Sequence, residues 1–295
     1  MNEFKKLHPL VNFLYFFAVI GFAMVFMHPI CLAVSFVCAI LNQALAIGRK
    51  SVKFNLLYMF PAFILAALIT PTFSHEGVTI LAYLPSGNPL TLESIFYGVS
   101  SSVMLITVIT WFSSFNTVIT SDKIIYLSGR IMPSMSLILS MCLRFVPRYK
   151  AQIKKISLAR KGIGADNAQD GVIRRIKNGL SVLSAMVTWS LENAIETADS
   201  MKCRGYGLQN RSAYSNYRFT PRDFFWILWI FIFSAYVIFG KIYGIIDFSY
   251  YPHIKSTPST PLSASIFTAY FLLCITPVII ETKEALQWKA LKSKI

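Results

Sequence analysis

Two arginines stand out by the residues that follow them. In "MKCRGYGL" (201–208) Arg204 sits between Cys203 and Gly205, with Gly207 two residues further on. In "LARKGIG" (158–164) Arg160 lies between Ala159 and Lys161, and Gly162 and Gly164 close the stretch. A guanidinium is permanently charged and offers a planar fork of N–H donors, which pairs with carboxylates in two-point geometry. Glycine beside it accepts the left-handed backbone that ends a helix and lets a second backbone come close. The chemistry on offer is therefore recognition of an acidic or carbonyl-rich surface by a helix end. An ordinary helix stop uses the same ingredients. Two copies in one segment, each after an amphipathic stretch, count against that ordinary reading.

Other chemistries fit less well. Neither glycine cluster has the spacing and the Lys-Ser/Thr of a phosphate loop, and neither opens a helix. "DNAQD" (166–170) holds one Asp-x3-Asp pair, but no second acidic cluster accompanies it to hold magnesium and a diphosphate. His8, His28, His75 and His253 show no ligand spacing and read as interfacial polar residues. Cys31, Cys38, Cys142, Cys203 and Cys274 are odd in number, contain no CxxC pair and lie mostly in apolar segments, so free buried thiols are expected. No Ser/His/Asp arrangement emerges. The expectation is a non-enzymatic chain with no cofactor and no metal of its own.

The elements that must carry the two stops follow from charge. The chain has 295 residues, 55% of them hydrophobic and only 14% charged, with a mean hydropathy of +0.56. A soluble domain of this length needs more charge to cover its surface, so the composition predicts an all-α integral membrane protein. Residues 7–48 contain no Lys, Arg, Asp or Glu. That is about twice the ~20 residues that cross a bilayer, which predicts two helices turning at His28-Pro29. Further uncharged runs cover 54–75, 94–121, 224–240 and 256–280. The sum is six spans, with a Pro/Gly-containing loop and one short interfacial element between the third and fourth. The lysine-led N-terminus resembles a signal peptide but lacks a small-x-small cleavage site, so it is read as a first span that stays in place.

A net charge of +15 fits positive-inside loops rather than nucleic-acid binding. Lys5 and Lys6, "RKSVK" (49–53) and the C-terminal lysines fall on one side of a six-span layout, placing both termini in the cytoplasm of a multi-pass cell-membrane protein. The short run "IMPSMSLILSMCL" (131–143) is not counted as a crossing. If it crossed, residues 144–223, with fifteen Lys/Arg against six Asp/Glu, would lie outside. Residues 123–148 are instead expected as amphipathic or partly embedded helices on the inner face.

The chain thus divides into a four-span bundle (1–122), a cytoplasmic or interfacial region (123–223) and two closing spans with a basic tail (224–295). No internal repeat of the inverted-carrier type is visible. Within the insert, residues 180–203 read as one helix. Leu183, Val187, Leu191, Ala194, Ala198 and Met201 lie within about 80° of each other on a helical wheel, a narrow seam suited to packing on other helices, opposite Glu192, Glu196 and Asp199. Gly205 and Gly207 are expected to end it. The first stop closes "PRYKAQIKKISLAR" (147–160), where Pro147 suits a first helical position and Tyr149, Ile153 and Ile156 share a side. A polar turn and a short basic helix are expected between the two.

"LRFVPRYKAQIKKISLARKGIG" (143–164), followed by "ADSMKCRGYGL" (198–208), resembles the transmembrane T component of energy-coupling factor (ECF) transporters, the EcfT/CbiQ-like family. There an Arg-Phe-x-Pro segment precedes a coupling helix ending in Ala-Arg-Gly, and a second helix ends in Ala-Arg-Gly-Tyr-Gly. The likeness is close over 141–208 and loose over most of the chain. Two positions depart from the pattern: Lys161 delays the first glycine to Gly162, and Cys203 stands where alanine is usual.

The resemblance implies an energy-coupling scaffold of an ATP-driven importer for a micronutrient, a vitamin or a transition metal. Two cytoplasmic ATP-binding-cassette subunits would carry the ATP and magnesium, and a separate small membrane protein would capture the substrate. Ala159, Arg160, Lys161, Gly162, Cys203, Arg204 and Gly205 would be the ATPase-docking residues. A membrane-embedded enzyme such as a prenyltransferase would need acidic or histidine clusters at the membrane face. A stand-alone secondary transporter would usually place ionisable groups inside its spans.

Overall fold

Proline at the first helical position opens five of the described helices, where its missing N–H costs nothing and its fixed φ is already helical. The computed structural model describes residues 3–46, 48–74, 76–83, 89–164, 171–206, 217–258 and 260–292. In chain order these form α1 (Glu3–Lys6), α2 (Pro9–Val25), α3 (Pro29–Ala46), α4 (Arg49–Phe73), β1 (Ile80–Tyr83), β2 (Pro89–Thr91), α5 (Leu92–Val118), α6 (Ser121–Ile131), α7 (Pro133–Gly162), α8 (Val172–Cys203), α9 (Pro221–Ile242), β3 (Phe248–Ser249), β4 (Lys255–Ser256) and α10 (Pro261–Lys292). Among the described residues the fold is all-α apart from two short antiparallel hairpins, β1–β2 and β3–β4. The segment expected to carry a short interfacial element holds the first of these hairpins; the loop residues 84–88, like His75, lie outside the described residues.

Among the described residues, four helices are long and apolar enough to cross a membrane: Pro29–Ala46, Leu92–Val118, Pro221–Ile242 and Pro261–Trp288. Pro9–Val25 and Met59–Phe73 are shorter apolar helices. The uncharged 7–48 run does break at His28-Pro29, where His28 Nδ1 accepts from the Ile30 N–H at 3.2 Å. With several apolar helices, the chain is a multi-pass membrane protein.

The residues fall into two compact units, 1–123 with 217–295, and 124–216. In the first, α5 packs against α2, α3 and α4, while α10 packs against α3 and α9. Trp111 of α5 is completely buried. Its Nε1–H donates to Ser35 Oγ at 3.0 Å, and its indole meets Tyr15 and Phe16 edge-on at 6.2 and 6.3 Å. The Tyr15 hydroxyl reaches across to the Cys274 carbonyl at 2.9 Å. Outward-facing residues such as Phe17, Leu65, Leu68 and Phe231 stay exposed, as a lipid-facing surface requires. Where α4 and α5 meet, a Cβ at Gly98 would lie 3.0 Å from the Ala67 carbonyl, so a larger residue would push the two helices apart by a few tenths of an ångström.

The N-terminal segment ties down both chain passages that border the second unit. Lys123 is buried, and its Nζ donates to the Lys5 carbonyl at 2.5 Å. With the Asn12 amide turned to suit its neighbours, Oδ1 accepts from Lys123 Nζ at 2.7 Å and Nδ2 donates to the Phe4 carbonyl at 3.1 Å. Burial, with Lys5 nearby as a second positive charge, lowers the Lys123 pKa to about 8. On the returning passage, Asp223 accepts from the His8 N–H at 3.2 Å and from the Thr220 N–H at 2.9 Å. That second contact caps α9.

Three of the five thiols, Cys31, Cys38 and Cys274, are buried and free, whereas Cys142 and Cys203 are exposed, contrary to the expectation for all five.

Candidate functional site

Both arginine stops lie on the second unit, on α7 and α8. The two helices run antiparallel. Tyr149 meets Trp189 edge-on at 5.7 Å, with the Arg148 guanidinium 5.6 Å from the same indole. Further along, Arg160 donates to Asn178 Oδ1 at 3.4 Å and to Ser181 Oγ. An apolar hollow of about 440 Å³, lined by Tyr149, Ile153, Val182, Leu183 and Met186, lies between the helices.

Two sequence expectations give way here. Pro147 does not open a helix but lies inside the continuous α7. It removes one backbone hydrogen bond, and the stacking of Phe145 on Tyr149 at 5.7 Å spans that point. Likewise, no separate basic helix precedes residue 180; α8 is one helix from Val172 to Cys203. Ile173, Ile176 and Leu180 continue its 3.6-residue apolar period, and Gly179 has no neighbour that a side chain would meet. The "DNAQD" turn lies outside the described residues.

The second stop is a complete Schellman closure. Gly205 takes φ +74°, its N–H bonds to the Lys202 carbonyl at 3.0 Å, and the Tyr206 N–H bonds to the Met201 carbonyl at 3.1 Å. Arg204 is the capping residue itself and is exposed. Gly207 lies outside the described residues. The first stop is built with a different offset. Gly162 is the last helical residue, and Gly164, at φ +72°, is the left-handed one. Arg160 therefore sits inside the last turn, half-buried, with its fork turned onto α8, while Ala159, Lys161 and Gly162 are exposed. Cys203 is exposed and Gly205 half-buried beside Arg204.

The structure does not bring the two arginines together. Arg160 lies beside Ser181, and Arg204 is twenty-three residues further along α8. At 1.5 Å per residue the separation is roughly 35 Å along the axis. The apolar seam of α8 also behaves differently from its expected role. Leu183 and Val187 edge the hollow, yet the seam from Leu183 through Leu191 is largely exposed, with Leu191 at 62%. Met186, at 6%, and Asn193, at 7%, are the deeply buried residues of α8 and mark a neighbouring stripe of the wheel.

Sequence reasoning missed the surroundings of Arg204. It lines a cleft of about 560 Å³ that also holds Arg144, Arg148, Asn193 and Glu196. The available signal was spacing: Arg144 and Arg148 are four residues apart on one helix, and Asn193 and Glu196 three apart on the other. Among the described residues, no group of three His, Cys, Asp or Glu side chains is arranged to hold a metal ion.

Residues 1–214 match the CbiQ family, described as a cobalt transport protein. The energy-coupling factor transporter transmembrane protein EcfT of Staphylococcus aureus is 31% identical over 90 residues, 30% of this chain and 34% of that protein. EcfT of Lactobacillus helveticus is 38% identical over 80 residues, 27% of this chain and 29% of that protein. EcfT of Bacillus selenitireducens is 27% identical over 111 residues, 37% of this chain and 41% of that protein. The chain thus spans between about three tenths and two fifths of the length of these curated relatives. Family and relatives alike carry the names of transport components and not of enzymes. With the family matched over residues 1–214, which take in apolar helices of the first unit and the two-helix hairpin of the second, the chain belongs to the CbiQ family of transport proteins.

Proposed function

We propose that this chain is the non-catalytic transmembrane coupling subunit of an ECF-type importer, with two cytoplasmic ATP-binding-cassette ATPases and a separate small substrate-capturing membrane protein as partners. The cargo class is a micronutrient, a vitamin or a transition-metal ion. ATP and magnesium belong to the ATPases, and this chain binds neither. The observation that carries the reading is the placement of the two arginine–glycine stops at opposite ends of one antiparallel hairpin. At roughly 35 Å apart, each stop can serve its own ATPase. Closure of the ATPases on ATP then changes the distance or angle between the two stops, and the rigid helices transmit that change.

Affinity purification of the full chain in mild detergent tests this. Two ATPase subunits and one further small membrane protein should co-elute. ATP hydrolysis by the purified chain alone, or elution with no ATPase, would refute the reading.

The orientation proposed with it places both termini and the hairpin in the cytoplasm. In a cysteine-free protein, single cysteines near Lys53, Lys177 and Lys292 should react only with reagent supplied from the cytoplasmic side. Labelling at position 177 from outside would reverse the hairpin and remove it from any ATPase.

A further inference from the structure

The cleft around Arg204 has more cationic capacity than a helix stop needs. Arg144, Arg148 and Arg204 line it against a single carboxylate, Glu196. Neither the Arg144 nor the Arg204 guanidinium has a hydrogen-bond or ion-pair partner among the described residues, and the Arg148 guanidinium rests on the Trp189 ring. In the same wall Asn193 is more than nine-tenths buried, and its Nδ2 has no acceptor. A buried donor without an acceptor costs free energy until something supplies one. Even with Arg204 given to a partner, two guanidiniums and an unused amide donor call for an anion with several oxygens. Phosphate fits that demand, since its tetrahedral oxygens accept from more than one fork at once.

The rest of the wall narrows the source. Leu137, Met141 and Phe145 line the cleft alongside the arginines, and Met135, Leu137 and Ile138 of the same uncharged stretch are exposed. A free phosphate has no use for an apolar wall. A lipid uses both parts: the phosphodiester among the arginines and the upper acyl chain along α7. Basic pockets at the inner face of a membrane favour anionic lipids for this reason.

We propose that Arg144 and Arg148 in this cleft bind the phosphate of an anionic phospholipid, with Asn193 as an additional donor, leaving Arg204 to the docking reading. Arg204 is common to this cleft and to the docking reading, whereas Arg144 and Arg148 belong to the cleft alone, so the test is placed on them.

The purified full chain in neutral detergent is offered phosphatidylglycerol or phosphatidylcholine, and bound lipid is counted by native mass spectrometry. One phosphatidylglycerol should be retained in preference to phosphatidylcholine. The Arg144→Gln/Arg148→Gln variant should bind it about ten-fold or more weakly, with phosphatidylcholine retention unchanged. Both side chains are exposed, so helicity should match the parent protein and the melting temperature should fall only slightly, through loss of the Arg148–Trp189 contact. Lys154→Gln/Lys155→Gln removes equal charge from α7 outside the cleft and should leave binding intact. Equal retention of both lipids, or an equal loss in the lysine variant, overturns the proposal. Displacement of the lipid by millimolar inorganic phosphate also overturns it, in favour of a free-anion site. Occlusion of the cleft by ATPase subunits in place of lipid overturns it in favour of an acidic protein side chain. Unchanged ATPase co-purification by the arginine variant would separate failure here from failure of the docking reading.

Discussion

If the proposed coupling role holds, Arg204→Glu should yield a correctly inserted protein that no longer retains the proposed ATPase partners in mild detergent. Arg204 caps α8 on an exposed Schellman turn, and no described residue holds its guanidinium. Its fork is therefore free to pair with a carboxylate on a partner. Truncating one member of such a pair after it is buried costs about 2–5 kcal/mol, partly because the other member is left unpaired. Arg204→Ala should weaken retention accordingly, and Arg204→Glu should do more by setting like charges together. Neither change should unfold the hairpin, since the turn rests on backbone hydrogen bonds and Gly205, and an exposed arginine adds little to folding.

Arg160→Ala should act in the same sense but less cleanly. Its fork already bonds Asn178 and Ser181, so this variant should also lower the melting temperature slightly. Lys177→Ala is the control, removing equal charge away from either stop. Full transport with a stable complex in Arg160→Ala/Arg204→Ala would reduce both to ordinary helix ends.

The second large effect lies in the membrane bundle. Trp111→Ala should destabilise the protein by about 3–5 kcal/mol, the range for emptying a fully packed aromatic site. In a bilayer this loss is one of packing, because lipid tails are as apolar as the core and helix association depends on close contact. Trp111 meets Tyr15 and Phe16 edge-on and holds Ser35 by its indole N–H, so its removal loosens α2, α3 and α5 together. Trp111→Phe, which gives up mainly the hydrogen bond and part of the ring, should cost less. Phe17→Ala removes an aromatic side chain of the same helix as Phe16, but one that is 72% exposed and lipid-facing, and it should be nearly silent. Melting temperatures in one detergent decide this. A Trp111→Ala shift no larger than that of Phe17→Ala would show that the bundle does not depend on this contact.

The family resemblance and the positions of the apolar helices were both legible in the residues. A charge inside hydrocarbon is so costly that its absence over 7–48, 94–121 or 224–240 is almost a direct readout of a buried segment. Proline and glycine act locally through φ, so the break at His28-Pro29 and the turn at Gly205 could also be read in place. The offset between the stops was foreshadowed by Lys161, which displaces the glycines by one position. Local rules failed where the answer depends on a distant segment. Pro147 is a plausible helix start by itself, yet it lies inside α7. The seam of α8 has the right periodicity for packing, but Met186 and Asn193, on the adjacent stripe, are the residues buried deepest. Arg144 and Arg148 are ordinary surface arginines along their own helix. They share a cleft with Arg204 only because α7 and α8 run antiparallel, which brings residues some sixty positions apart in sequence to one place. Periodicity along a helix states which residues share a face. Only the tertiary contacts state which face is covered and which charges it gathers.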